Sequence, residues 1–217
     1  MPHIPLSDTD SIPVLTFREA LETVTADNYD RNRWLYVPDA YDEYRYVLGT
    51  KGEKPLICIG INPSTARPDA LDNTLKSVER VAHANGYDSF LMMNVYAQRA
   101  TDPKHMEKVE NPFLHRENLE AFRYVLSLAG AKPAVWAAWG TIVKARPYLI
   151  DCMMDFVRTG EEQGAVWYTA GARSKNGGHP HHPLYLRRDV SLDPFDPVPY
   201  MEAMRKNQIT TRRKTND

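Results

Sequence analysis

"PLICIGINPSTARPDALDNTLKSVERVAHANG", residues 55–86, decides the fold class. Residues 55–61 are apolar without alternation, short, and bounded by breakers, which is how a strand buried on both faces of a parallel sheet reads. Gly60-Ile61-Asn62-Pro63-Ser64 then turns the chain sharply. Asp72 or Asn73 can cap a following helix, because a short oxygen-bearing side chain satisfies the first free N–H groups. Leu75, Val78, Val81 and Ala82 recur every three to four residues along that helix, and Asn85-Gly86 stops it. Strand, tight turn and helix in this order form the first half of a βαβ unit.

The same pattern repeats downstream. "SFLMMNVYA" (89–97), "PAVWAAWG" (133–140) and "AVWYTAG" (165–171) read as further strands. Between them lie a helix carrying Leu119, Phe122, Val125 and Leu126 on one face, stopped at Gly130, and a helix from about Thr141. Strands alternating with helices predict a three-layer α/β/α sandwich around a central, mainly parallel four-stranded sheet. The whole chain, 1–217, reads as one α/β domain. Residues 1–15 form an extended lead-in. Residues 16–50 hold a helix, opened by the capping box of Thr16 and Glu19 and running to about Val24, and then a hairpin or edge strands over "RWLYVPDAYDEYRYVLGT". Residues 55–190 are the core. The tail from 206 to 217 lacks apolar periodicity and is expected to be disordered.

Composition narrows the function classes. The chain is 42% hydrophobic and 25% charged, as soluble domains are. No apolar run reaches the roughly 18 residues of a membrane span, and residues 1–5 lack the basic and apolar parts of a signal peptide. Two cysteines make no disulfide framework, and Cys58 reads as a small reduced core residue, so a cytoplasmic protein is expected. The net charge of −1 argues against a constitutively basic nucleic-acid binder. The charge is uneven, however: residues 1–50 carry 4 Lys/Arg against 9 Asp/Glu, and residues 131–217 carry 13 against 9. A phosphate-bearing partner would prefer the C-terminal half.

In an open parallel sheet, ligands bind outside the carboxyl ends of the strands. Asn62, Asn94 with Arg99, Trp139-Gly140 and the loop 171–186 all fall there. Asn62 either makes a local Asx turn or holds a water or polar ligand group, with Pro63 fixing the backbone, Gly60 allowing close approach, and Ser64-Thr65 offering hydroxyls or a nest of N–H groups. Asn94, on a strand buried on both sides, needs partners for its amide; these come from a neighbouring loop or from the edge of a ligand. His179, His181 and His182 lack the separated Cys, His or carboxylate set of a zinc site, and no metal is expected. One of them could instead donate a hydrogen bond to a developing negative charge. Arg173, Lys175, Arg187 and Arg188 flank the loop as surface charges or as phosphate contacts. No P-loop, G-x-G-x-x-G or Ser/His/Asp order is present.

Four segments in order, "GINPS" (60–64), "LMMN" (91–94), "AWG" (138–140) and "HPHHPL" (179–184), resemble the strand-end motifs of the uracil-DNA glycosylase superfamily. The wider pattern GINPSTA…NVYAQRATDP…AWG…HHPLYL also resembles a bacterial family of unassigned function, DUF1643. The glycosylase resemblance implies that Asn62 holds the hydrolytic water and that Asn94 pairs with the base. It implies that His182, or His179 on the other alignment of the loop, stabilises charge on the base's O2. Gly60, Ile61, Pro63, Ser64, Tyr96, Trp139 and Gly140 would shape the base or nucleotide site. Arg99, Arg173, Lys175 and His179 would contact phosphates or nucleic acid. Leu184 or Leu186 would fill the gap left by an extruded nucleotide. The resemblance implies no cofactor and a DNA or nucleotide partner. Ser64 stands where mismatch-type members have Gly, and residues 65–74 hold no aromatic to stack on a base, which leaves Tyr96 as a substitute. The expectation is cleavage of an N-glycosidic bond to a damaged or modified base. The rival expectations are a binding module without chemistry and a different small-molecule enzyme on a three-layer scaffold.

Overall fold

β3, Pro55–Gly60, lies between two parallel neighbours in the computed structural model, which describes residues 1–25 and 28–214. On one side it pairs with β4, Ser89–Asn94, in a register that sets Gly60 beside Asn94. On the other it pairs with β5, Ala134–Ala137, which pairs in turn with β6, Val166–Ala170, also parallel. β1, Trp34–Val37, and β2, Val47–Thr50, form the N-terminal hairpin, and β2 joins β4 antiparallel. β7, Leu192–Pro194, closes the other edge antiparallel to β6. The sheet therefore has seven strands in the order β1-β2-β4-β3-β5-β6-β7, mostly parallel at its centre.

Every residue of β3 is buried, so its side chains divide between two apolar layers. Ile57 and Ile59 enter one layer with Leu91, Met93, Phe122 and Phe156, while Leu56 and Cys58 enter the other with Phe90, Met92, Trp136 and Val78. The first layer is covered by α1 (Phe17–Glu22), α3 (Pro112–Leu128), α4 (Tyr148–Glu162) and α5 (Pro197–Lys214), and the second by α2 (Asn73–Ala84). The helices on the first face close on rings, with Phe122 stacked on Phe156 at 4.8 Å between centroids. Cys58 and Cys152 are both buried and unpaired.

Local signals hold where their chemistry is local. Thr16 and Glu19 form the reciprocal capping box, Asp72 accepts from the Leu75 N–H, and Gly86 and Gly130 have positive φ just past their helices. Three expectations change. The helix expected from about Thr141 is a 3-10 turn, Gly140–Lys144, and α4 starts only after Pro147, whose ring suits a helix start but not an interior. The sheet gains β7, too short and too polar to read as a strand in the sequence. The tail expected to be disordered from residue 206 continues α5 to Lys214, because Tyr200, Met201 and Met204 seat the first turns of that helix on the core. Residues 215–217 lie outside the described residues. No helix among the described residues is long and apolar enough to cross a membrane.

α2 also fixes the loop after β6. Ser77 Oγ donates to the Pro183 carbonyl at 2.7 Å, and Arg80 donates to the Leu186 carbonyl at 3.4 Å. Asn85 donates to the Val190 carbonyl and accepts from the Leu192 N–H, both at 3.0 Å. Thus the histidine-bearing segment and the edge strand β7 are tied to one helix by side chains spaced along it.

Candidate functional site

A cavity of about 410 Å³ opens at the carboxyl ends of β3 and β4, against the start of α2. Gly60, Ile61, Asn62, Pro63 and Ser64 line it, as do Asn94, His182 and Leu184. Two carboxamides and one imidazole from three separated segments therefore share one hollow.

Asn94 is 1% exposed. Its Oδ1 accepts from Arg45 Nη2 at 3.3 Å, which fixes the amide orientation, since a guanidinium has no lone pair to offer the nitrogen side. The Nδ2 hydrogens have no acceptor among the described residues and belong to the cavity wall. Behind it, Asn118 donates to the Asn94 carbonyl at 2.8 Å and so pins the end of β4 to α3. Gly60 leaves room for this amide. A Cβ there would lie 2.8 Å from Asn94 Nδ2 and 2.6 Å from Met92 Cε. Met92 can swing aside, whereas the amide held by Arg45 cannot. Gly60→Ala is therefore expected to keep a cooperative fold at a cost of about 1–3 kcal/mol and to weaken occupancy of the cavity about tenfold, read by thermal melting beside ligand titration.

Asn62 is used differently. Its Nδ2 donates to the Ala100 carbonyl at 2.6 Å and to the Pro63 carbonyl at 3.1 Å, and Ala100 N–H returns a bond to the Pro63 carbonyl at 2.9 Å. The amide nitrogen is committed to this loop knot, which is not the expected Asx turn, since there the side-chain oxygen would accept a backbone N–H. Its Oδ1 has no donor among the described residues and is the group left to accept from a water.

His182 caps the short turn Pro183–Tyr185, its Nδ1 accepting from the Leu184 N–H at 3.3 Å. In the neutral ring the proton then sits on Nε2, which makes His182 a donor. Burial pushes its pKa below the usual histidine value, and Asp72 nearby opposes that only in part. Gly140, at φ +60°, lies under the loop, where an added Cβ would come 3.5 Å from the His182 Cβ.

A second, larger hollow of about 870 Å³ lies past β5 and β6 and shares Ile142, His182 and Leu184 with the first. Gly140 and His179 line this one. His179 is buried, holds the Tyr200 hydroxyl at 2.8 Å through Nδ1, and has its pKa lowered by burial and by Lys144.

The remaining sequence candidates lie elsewhere. Tyr96 is in the core below the cavity, bonded through its hydroxyl to Glu107 and tilted against Tyr148, so it offers no stacking face. Trp139 is likewise buried, its Nε1 donating to Tyr200 at 3.3 Å. Arg173 lies over the Phe195 ring and Lys175 is exposed, and neither lines either hollow. Arg99 is 0% exposed and serves the Ser64 and Ala66 carbonyls and the Tyr36 hydroxyl. Away from both hollows, ligand-type atoms of Glu110, His115 and Cys152 lie within 4.8 Å of one another between α3 and α4, with His115 Nε2 also 3.0 Å from Asp155. Three such groups fall short of the four of a structural zinc site.

Sequence reading missed Arg45 and gave Asp72 only a capping role, yet both line the first cavity. Arg45 had a signal. In "YRYV" the strand alternation sends Arg45 to the face opposite Tyr44 and Tyr46, and the outcome is a guanidinium at 1% exposure.

The chain matches the DUF1643 family, described as a protein of unknown function, over residues 45–184. It belongs to the DUF1643 family. The matched DUF1643 span starts at Arg45 and ends at Leu184, so it takes in the cavity from the buried arginine to the histidine loop. No curated protein and no solved structure matches the chain.

Proposed function

We propose that this DUF1643 protein binds a nucleobase in the cavity at the ends of β3 and β4 and hydrolyses its N-glycosidic bond. The observation that carries the reading is the convergence of Asn62, Asn94 and His182 on one cavity. Further support comes from the four ordered strand-end motifs similar to those of uracil-DNA glycosylases. In this reading the free Nδ2 of Asn94 donates to an acceptor on the base edge. Asn62 Oδ1 accepts from the attacking water, and Asp72 on the same lining takes the proton the water loses. The water oxygen bonds to the sugar carbon while the electron pair of the C–N bond leaves with the base. His182 Nε2–H donates to the oxygen where that charge collects, and a preformed donor of this kind stabilises the transition state more than the ground state.

Two observations favour a second reading, a binding module without chemistry. The Asn62 nitrogen is spent on backbone carbonyls, and no Phe, Tyr or Trp side chain among the described residues lines the cavity. Incubation with oligonucleotides and mononucleotides carrying uracil, hypoxanthine, xanthine or hydroxymethyluracil separates the two. The hydrolase is expected to release free base from one of them, and Asn62→Ala to suppress the release. Binding without release establishes the module instead, and neither binding nor release ends the nucleobase assignment.

A further inference from the structure

Two buried guanidiniums stand side by side at this cavity without a carboxylate. Arg45 is 1% exposed and Arg99 0%. Among the described residues neither forms an ion pair. Their partners are neutral: Arg45 donates to the Ala66 carbonyl at 3.2 Å and to Asn94, and Arg99 to the Ala66 and Ser64 carbonyls and the Tyr36 hydroxyl. The Nε of each is buried with no acceptor. A buried charge is expensive unless paired, and two like charges sharing the Ala66 carbonyl make it more so. The strain registers in Arg45, whose pKa falls to about 9 through burial and the neighbouring Arg99.

Carbonyls bind a guanidinium but do not neutralise it, so holding the loop 64–66 explains the hydrogen bonds and leaves the two charges unexplained. Arg45, the member of the pair on the cavity lining, shares that lining with the hydroxyl-bearing residues Ser64, Thr65 and Thr74, the Ser64 hydroxyl pairing with that of Thr101 at 3.0 Å. The N–H groups of Asn73 and Thr74, in the first turn of α2, have no acceptor among the described residues. One carboxylate shares the lining, Asp72, and it spends Oδ1 on the Leu75 N–H beyond ion-pair distance of both arginines.

We propose that the missing counter-charge comes from the ligand, and that Arg45 with Ser64, Thr65 and the start of α2 receives a phosphate monoester, so that the substrate is a mononucleotide. A phosphate supplies three acceptor oxygens to the hydroxyl and N–H donors and two negative charges to the arginine pair. A monoester fits because a phosphate must enter the cavity to reach a side chain this buried, whereas the diester backbone of a polymer runs along open, basic grooves. The net charge of −1 also favours a small anion over a polyanion. This inference rests on the nucleobase reading of the same cavity for the identity of the ligand's other end.

The test compares, on the intact chain, the four ribonucleoside 5′-monophosphates, their nucleosides, inorganic phosphate, and a single-stranded oligonucleotide without terminal phosphates. One monophosphate is expected to bind about 10- to 100-fold tighter than its nucleoside, inorganic phosphate to raise the melting temperature and compete with it, and the oligonucleotide not to compete. Arg45→Met, which keeps the apolar stem, is expected to erase the difference between monophosphate and nucleoside. Ser64→Ala, a milder change should the first variant fail to fold, is expected to narrow it. Equal binding of monophosphate and nucleoside by the unaltered protein overturns the proposal even if base is released, in which case the hydrolase reading stands alone. Competition by the oligonucleotide as strong as by the monophosphate also overturns it. A phosphate effect without base release supports the phosphate site and removes the hydrolase.

Discussion

Replacing His182 by alanine is expected to slow base release by about 10²–10³, with binding of the base nearly unchanged. The split follows from the timing of the charge. The leaving base gains its negative character only as the C–N bond breaks, so a donor aimed at that oxygen contributes to kcat and little to KM. The pH profile adds a check that a merely structural histidine would not pass. Because burial holds the His182 pKa below its ordinary value, the neutral ring with its proton on Nε2 persists as pH falls through the value at which a free histidine would charge. The rate due to this residue is therefore expected to stay level from pH 8 through about 6.5 and to fall only at lower pH, as the ring gains its second proton. A rate that climbs as the solution becomes more acidic would show that the imidazolium is the active form and would reverse the assignment. His182→Gln, which retains a donor of similar reach, is expected to recover part of the loss.

Gly49→Val is expected to be the most damaging single change to the fold. Gly49 pairs with Leu91 where the hairpin joins the parallel sheet, and a Cβ there would lie 2.0 Å from the Phe90 carbonyl oxygen and 2.7 Å from the Leu91 Cα. Both obstacles are backbone atoms, so no side-chain rotation relieves the overlap and β2 must draw away from β4. Overpacking commonly costs about 1–3 kcal/mol, and a collision with main chain belongs at or beyond the top of that range. Denaturant unfolding would measure it. The consequence extends beyond stability, since the segment just before β2 carries Arg45 into the cavity. A variant that still folds is expected to have lost the support of Asn94 as well.

How much of this was legible in the sequence depends on the range of the interaction. The parallel strands follow from their unbroken apolar runs, and the caps of α1 and α2 and the Gly stops from contacts within a few residues, and they stand as read. The short edge strand β7 owes its existence to β6 and Asn85, partners distant in the chain, and carries no pattern of its own. At the cavity, the strand-end rule brought Asn62, Asn94 and His182 to the same place because it depends only on topology. It failed for Tyr96 and Trp139, which also follow strands but turn inward to bond Glu107 and Tyr200. Side-chain direction just past a strand end is set by the loop that follows, and periodicity does not encode it. Arg45 was missed for a related reason: an arginine between two tyrosines looks like an ordinary edge residue until the sheet closes over it.

α2 contributes its first turn to one wall of the cavity and, through Ser77 and Arg80, anchors the stretch that forms the opposite wall. The gap between the groups that would grip a ligand and the imidazole that would act on it is thus spanned by a single rigid rod. A ligand pulling on the near end of that rod would carry the histidine with it, so grip and chemistry are geared together and would not loosen independently.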